Sequence, residues 1–267
     1  MSGGGEIFAR LAGAGERDLI CRADEAGILM VPGESEAAFR ERLGIMERES
    51  AALSAETAQL PPVSAAVRAE ALRIVGQLYG IGPEWVVTVH SSRETGHFSA
   101  GVTGFTEKMT PAVFLSDAFL KRSCHRGYTA AETLAHELVH AARAAFPDSV
   151  YDEYFPCQVH ASRFRRSAGN FFRRWYLPVL FVAGLCAAAF YPWCALIPVL
   201  LLLNEVRLRR RIEAAAETLR AAGLRPEPVL LRLSDGEIGI LAAGKLPEFM
   251  RDTASARREM LFCRFSL

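Results

Sequence analysis

Thirty consecutive residues of this chain carry no charged side chain. They run from Trp175 to Asn204 and read WYLPVLFVAGLCAAAFYPWCALIPVLLLLN. A helix that spans a bilayer needs about 20 apolar residues, and a buried helix of a globular protein rarely remains uncharged for so long. The segment therefore predicts a membrane localisation, with the lipid bilayer as a partner of the chain.

The apolar segment can be arranged in two ways. Arginines flank it on both sides, at Arg165, Arg166, Arg173 and Arg174 before it and at Arg207, Arg209, Arg210 and Arg211 after it. A helical hairpin that turns near Pro192 keeps both clusters on the cytoplasmic side, as the positive-inside rule favours, although arms of about 22 Å are shorter than the hydrocarbon core of about 30 Å. A single span would be long, tilted and kinked at Pro192, with one arginine cluster on the opposite side. The hairpin is favoured.

Composition limits the other partners. The chain has 31 basic and 30 acidic side chains, so its overall charge does not attract nucleic acid, and no nucleic acid is expected as a partner. The six cysteines contain no Cys-x-x-Cys pair, which is typical of isolated thiols in a reducing compartment. The first residues lack the basic start and apolar run of a secretory signal. The part of the chain outside the apolar segment is therefore expected on the cytoplasmic side of the membrane.

The residues before the apolar segment predict an α+β domain over residues 1–170. Ser35 and Ser64 are placed to cap two helices, and Gly80 is placed to end the second one. Three β-like stretches follow, at 85–90, 97–105 and 112–117. Helices, then strands, then a further helix are typical of the α+β class.

The residues after the apolar segment (175–204) predict a small C-terminal α/β segment over 205–267. A basic amphipathic helix comes first and ends at Gly223, with its arginines placed near lipid headgroups. The stretch VLLRL at 229–233 predicts a strand, and S-D-G-E after it forms a helix capping box. A last helix is predicted from Pro247. This part is expected either to form a small subdomain or to pack back on the first domain.

Two histidines and a glutamate lie in the helix predicted after the strands. The stretch AHELVHA contains His136, Glu137 and His140, and a capping box formed by Thr129 and Glu132 opens the helix. Positions four apart lie on one face of a helix, about 5–6 Å apart at Cβ, so two imidazoles can bind one ion. The glutamate is placed to hold a zinc-bound water and to accept its proton as the water attacks a carbonyl. The sequence therefore predicts a Zn²⁺ site with Glu137 as the general base.

With an apolar strand before it, AHELVHA resembles the active-site helix of zincin metallopeptidases. The resemblance extends over residues 110–165 and implies a zincin-like domain. In that fold the strand before the helix lies at the sheet edge and pairs with an extended substrate, a role that falls here to Ala112–Asp117. The succession of motif, acidic segment, arginines and apolar segment is similar to bacterial membrane-associated proteins of this kind.

The resemblance also implies a third zinc ligand. The metzincin pattern, with a third histidine soon after the second, is absent, because His140 is followed by AARAAFPDS. The gluzincin pattern places a glutamate on the next helix, which is predicted to begin at Ser149. This pattern favours Glu153 as the third ligand, and Asp152 and His160 are the alternatives.

Peptide hydrolysis also requires a group that stabilises the oxyanion of the tetrahedral intermediate. Tyr154 and His160 are candidates for this role, and Tyr151 and Arg143 are further ones. The sequence therefore predicts a membrane-anchored zinc metallopeptidase that hydrolyses peptides or proteins, membrane proteins included, with a metal-bound water. The alternative is a catalytically inactive zincin-like scaffold or adaptor in the membrane.

Overall fold

The structure is a computed structural model that describes residues 3–12, 14–96, 99–146, 149–172, 174, 176–251 and 256–266. Within these ranges the chain is α+β, mostly helical with a small sheet, as the sequence predicts. The first part consists of α1 (Gly3–Ala12), α2 (Glu16–Glu25), α3 (Glu36–Glu56) and α4 (Ala65–Tyr79). The middle contains β1 (Val87–His90), α5 (Ser92–Thr95), β2 (Gly101–Phe105), β3 (Pro111–Leu115), β4 (Cys124–His125), β5 (Tyr128–Thr129) and α6 (Ala130–Ala142).

The remainder of the described chain is helical apart from turns and one isolated bridge. It comprises α7 (Tyr154–Cys157), α8 (Arg163–Ala168), α9 (Tyr176–Ala188), α10 (Leu196–Ala221), α11 (Pro226–Leu231), α12 (Asp235–Ala242), α13 (Leu246–Arg251) and α14 (Ala256–Phe265). Short 3₁₀ turns connect several of these helices, including one between α9 and α10.

The helix ends follow the capping residues in the sequence. The side chain of Ser35 accepts a hydrogen bond from Ala38 N, and Ser64 accepts one from Val67 N. Each bond satisfies a main-chain donor that the first helical turn leaves free. Gly80 ends α4 in the left-handed conformation, with φ of 67°. These predicted helix boundaries are therefore confirmed.

The three-stranded sheet corrects one prediction. β3, the strand before the motif helix, lies at the centre between parallel β1 and antiparallel β2, and not at the edge. Its side chains are almost all buried, which suits a strand with neighbours on both sides. A bridge between Pro62 and Val89 covers the outer side of β1, so β2 is the open edge of the described sheet. Residues 97 and 98 of the predicted strand 97–105 lie outside the described residues.

The apolar segment forms two helices, α9 and α10, that turn back on each other at residues 189–195. Gly184 lies at their contact, where a Cβ atom would come within 2.9 Å of Pro198 Cδ. This is the hairpin arrangement of the two alternatives, and its first residue, Trp175, lies outside the described residues. None of the described helices combines the length and the apolar character that a transmembrane span requires.

The C-terminal residues correct the predicted strand at 229–233, because they belong to α11 and its end. Pro226 occupies the first helical turn, where its fixed φ favours a helix. A short, fully buried apolar run has no periodicity that separates strand from helix. The described C-terminal helices pack back on the first helices and share their hydrophobic core.

A buried ion pair joins the two ends of the chain. Arg232 donates two hydrogen bonds to Asp24, at 2.6 and 2.8 Å, and a third to Tyr79 O. Arg264 also contacts Asp24. Both Asp24 and Arg232 are almost completely excluded from solvent, so each charge depends on the other for compensation.

We expect Asp24→Ala to lower the free energy of unfolding by about 3–5 kcal/mol, because it leaves a buried guanidinium without its carboxylate. The matched control is Asp18→Ala, which removes the exposed partner of Arg22. An exposed pair contributes less than about 1 kcal/mol. Urea unfolding of the full chain in mild detergent measures both values, and equal losses would contradict the proposed role of the buried pair.

Candidate metal centre

Helix α6 brings two imidazoles to one face. Its start is fixed by the capping box, in which Thr129 Oγ1 accepts from Glu132 N at 3.1 Å and the Glu132 carboxylate accepts from Thr129 N. The four-residue spacing then places the rings of His136 and His140 with their centroids 5.0 Å apart. The helix is otherwise buried against α4, β2 and β3, so its orientation is determined by packing on three sides.

The segment after α6 corrects a second prediction. A continuous helix from Ser149 is not formed; the described chain runs through turns into the short helix α7. Pro156 lies inside the predicted helix and has no main-chain N–H to continue it. The start of this segment is held by Asp235, the first residue of α12, which accepts hydrogen bonds from Ser149 Oγ at 2.6 Å and Val150 N at 2.8 Å.

These turns bring Glu153 to the two histidines. Glu153 Oε2 lies 3.4 Å from His136 Nε2, and Glu153 Oε1 lies 3.3 Å from His140 Nε2. Asp152 approaches the other side of the second imidazole, with its Oδ1 3.6 Å from His140 Nδ1. The three residues favoured as zinc ligands are therefore neighbours, and the alternative Asp152 lies behind one of them.

The distances suit a metal ion. In a tetrahedral zinc site with bonds of about 2.0–2.2 Å, two ligand atoms of the same ion lie about 3.3–3.5 Å apart. The two contacts of Glu153 have this length and are longer than an ordinary hydrogen bond between charged groups. Two imidazoles and a carboxylate are also a common zinc ligand set. The residues present therefore fit a zinc ion.

The electrostatics of the cluster favour a cation. Burial lowers the pKa of His140, but the carboxylates of Asp152 and Glu153 raise it to about 10. Burial raises the pKa of Glu153, but the two imidazoles hold it well below its usual range. Both shifts show that this group of side chains stabilises positive charge between the imidazoles and the carboxylates.

Glu137 is held beside the ligands by the edge strand. It is buried, and Thr103 Oγ1 on β2 lies 2.8 Å from Glu137 Oε2 and 3.0 Å from Glu137 O. Gly101, two residues earlier on the same face of β2, permits this approach. A Cβ atom there would lie 2.7 Å from Thr133 Cγ2 and 3.1 Å from Glu137 Cγ. The strand and the motif helix are therefore in contact at the position of the predicted general base.

An open cavity of about 480 Å³ gives access to the cluster. Its lining includes His136, Glu137 and Glu153. Tyr128 and Arg165 also line it, with the Arg165 guanidinium 3.7 Å from the centre of the Tyr128 ring. The arrangement combines carboxylates, imidazoles, a phenol and a guanidinium around a space that can hold part of a peptide.

A second ligand set overlaps the first. His136, Cys157 and His160 also offer ligand atoms within 4.8 Å of one another. The Cys157 thiol lies 4.0 Å from Glu153 Oε2, and burial raises its pKa well above the usual range. Since a zinc-bound cysteine is a thiolate, this set requires the loss of a proton that burial disfavours. The set with His140 and Glu153 contains no thiol, and the proton that it loses is that of the His140 imidazolium, whose positive charge the metal ion replaces between the same carboxylates.

The candidate oxyanion stabilisers lie in different places. His160 lines the cavity and stacks on His136 with ring centroids 5.3 Å apart; burial lowers its pKa to about 4. Tyr154 lines two neighbouring cavities instead. Tyr151 is fully buried. Arg143 is also buried and donates to Leu231 O and Leu233 O, so it joins α6 to α11 and does not face the metal centre.

Two residues that contribute to the site were not predicted, because no pattern in the sequence pointed to them. Thr103 hydrogen-bonds Glu137, the predicted general base, and Tyr128 lines the same cavity. Alternation along the predicted strand places Thr103 on the same face as Gly101, but the helix that this face contacts is a property of the fold. Tyr128 precedes the capping box, and its direction depends on the short β4–β5 hairpin.

We expect Gly101→Ala to destabilise the protein by about 1–3 kcal/mol, because the added methyl group overlaps with Thr133 and Glu137. Gly236→Ala on α12 is the matched control. A Cβ atom there meets only Ser234 Oγ at 3.9 Å, and alanine favours the helix. Thermal unfolding of the two variants would contradict the expected overlap if their transition temperatures were equal.

We also expect Asp235→Ala to weaken zinc binding about 10–100-fold although it removes no ligand, because residues that orient ligands have effects of this size. The variant frees Ser149 and Val150 from their carboxylate and loosens the segment that carries Glu153. Competition with a chromogenic chelator measures the zinc affinity. Glu248→Ala, which removes an exposed carboxylate from α13, is the control. An unchanged affinity in Asp235→Ala would exclude this coupling.

No family model, no curated protein and no solved structure matches this chain.

Proposed function

We propose that this protein is a zinc-dependent metallopeptidase. The observation that carries the proposal is the convergence of His136, His140 and Glu153 beside Glu137 in an open cavity. The three ligands come from two separate parts of the chain. Their meeting is therefore not a consequence of the helical spacing of the motif alone. When bound, zinc supplies a Lewis acid and lowers the pKa of a coordinated water to about 7.

Glu137 fits the role of general base. Its carboxylate lines the cavity but is absent from both ligand sets, and Thr103 fixes one of its oxygens. A carboxylate in this position accepts the proton of the attacking water and passes it to the amine of the leaving peptide. The hydrogen bond from Thr103 orients the side chain so that less reorganisation is required during proton transfer.

The substrate is a peptide in an extended conformation. β2 has no strand on its outer side among the described strands, and it borders the cavity. Ala100 O accepts from Ser116 N at 2.9 Å, and alternation along the antiparallel pair turns the main-chain groups of Gly101 and Thr103 outward. A peptide that adds to this edge would place a main-chain carbonyl near the metal centre. The strand that would pair with the substrate at the sheet edge is therefore β2, and not Ala112–Asp117 as the sequence predicts.

Two polar groups of the cavity wall can stabilise the oxyanion. His160 is held neutral by burial, and a neutral imidazole still carries one N–H donor. Tyr128 is tilted against the His160 ring, with centroids 5.3 Å apart, and adds a phenolic donor to the same wall. Both line the same cavity as Gly101 of β2 and Glu137, so a peptide bound in it would have these donors and the base within one space.

The first experiment measures zinc by elemental analysis of the purified full chain. We expect about one zinc per chain, held by His136, His140 and Glu153, and its loss in His140→Ala and Glu153→Ala. Cys157→Ser and Glu137→Gln are the matched controls and should retain the metal. Glu137→Gln should nevertheless lower hydrolysis of a peptide library, followed by mass spectrometry, by about 10²–10⁴-fold, because it removes the general base.

Two outcomes would contradict the proposal in different ways. Zinc that is retained in Glu153→Ala but lost in Cys157→Ser would assign the ion to His136, Cys157 and His160, away from the arrangement described here. Zinc binding with no cleavage beyond that of Glu137→Gln would favour the alternative of an inactive zincin-like scaffold.

A further inference from the structure

The α9–α10 hairpin presents a large apolar surface. Most of the large apolar side chains that are exposed in the described structure lie between Tyr176 and Val206. At the tip, Phe190 and Trp193 are each 82% exposed, and Leu200 on the second arm is 62% exposed. Soluble surfaces rarely contain contiguous apolar patches of this kind without a partner.

The distribution of the exposed apolar side chains around the helices indicates what covers them. On α10 the exposed side chains include Leu196, Ile197, Val199, Leu200, Leu202 and Leu203. At helical spacing these positions extend over more than half of the circumference, and only the side near Pro198 packs on α9. A protein groove requires one apolar stripe, whereas lipid contacts a helix on all free sides. The hairpin is therefore suited to a hydrocarbon environment.

The length of the hairpin indicates how far it reaches. Its apolar arms, Tyr176–Ala188 and Leu196–Asn204, contain 13 and nine residues. At 1.5 Å per residue the arms extend about 13–20 Å, which is about half to two thirds of a hydrocarbon core of about 30 Å. Arg207 and Arg210 are exposed directly after the second arm, at the level where headgroups would begin. Their charge is complementary to anionic lipids.

We propose that the hairpin inserts into a single leaflet of an anionic bilayer, with Trp193 near the bilayer centre and the arginines at the headgroups. The two arms enter and leave on the same side, so the rest of the protein stays at one membrane surface. This proposal does not depend on the peptidase activity, because it uses no residue of the metal centre.

Fluorescence quenching tests the depth of Trp193. The full chain is mixed with phosphatidylcholine–phosphatidylglycerol vesicles whose acyl chains carry bromine either near the chain ends or near the headgroups. The Trp193→Phe variant is subtracted to isolate the signal of this side chain. Strongest quenching by bromine near the chain ends is expected. Strongest quenching by bromine near the headgroups would overturn the proposal, because the tip would then lie at a membrane surface.

Vesicle flotation tests whether lipid is the partner at all. We expect Leu200→Glu to lower the membrane partition coefficient on the order of 100-fold, because it places a charge in hydrocarbon. Leu120→Glu, at an apolar residue that is 51% exposed outside the hairpin, is the matched control and should leave partitioning unchanged. A wild-type chain that stays oligomeric and does not float would assign the hairpin to a second copy of the chain. Zinc content should be the same in all variants, which separates this proposal from the assignment of the metal centre.

Discussion

The candidate metal centre depends on the Asp235 carboxylate, which lies outside it. Asp235 holds Ser149 and Val150, and this contact determines where the following turns place Glu153. Asp235 lies 85 residues beyond Val150, on the first turn of α12. Glu153, the candidate third ligand, is therefore positioned by the C-terminal helices, and the two histidines alone would not complete the proposed three-ligand site.

The buried guanidinium group of Arg143 joins the motif helix to the C-terminal helices. Arg143 extends from the end of α6 to the carbonyls of Leu231 and Leu233, and it also donates to Ser149 Oγ. Burial lowers the pKa of Arg143 to about 10, although Asp235 and Asp152 favour its charged form. A buried charge of this kind requires its partners at fixed positions, because any displacement leaves it uncompensated. The same group of residues therefore fixes α6, α11 and the segment that carries Glu153.

Local signals in the sequence predicted local structure. The caps at Ser35, Ser64 and Thr129 and the left-handed Gly80 determine helix ends through bonds within a few residues, and the structure contains them. The wrong predictions involve tertiary context. Residues 229–233 were predicted as a strand but are helical, because a run that is buried on all sides has no periodicity that separates strand from helix. β3 was predicted at the sheet edge but is central, because strand order depends on contacts between distant residues. Thr103 and Tyr128 were missed for the same reason, since their roles depend on what they face.

The proposed one-leaflet hairpin and the proposed peptidase are connected through a short stretch of chain. Phe164, Arg165 and Gly169 line the cavity, and Tyr176 begins the first arm of the hairpin only a few residues later. Phe164 is 75% exposed, which adds an apolar group to the part of the cavity wall that leads along the chain into the hairpin. A hairpin held in one leaflet therefore places this wall close to the headgroups. The open edge of β2 would then receive extended segments that lie along the membrane surface, so the depth of the hairpin would restrict which peptide bonds reach Glu137.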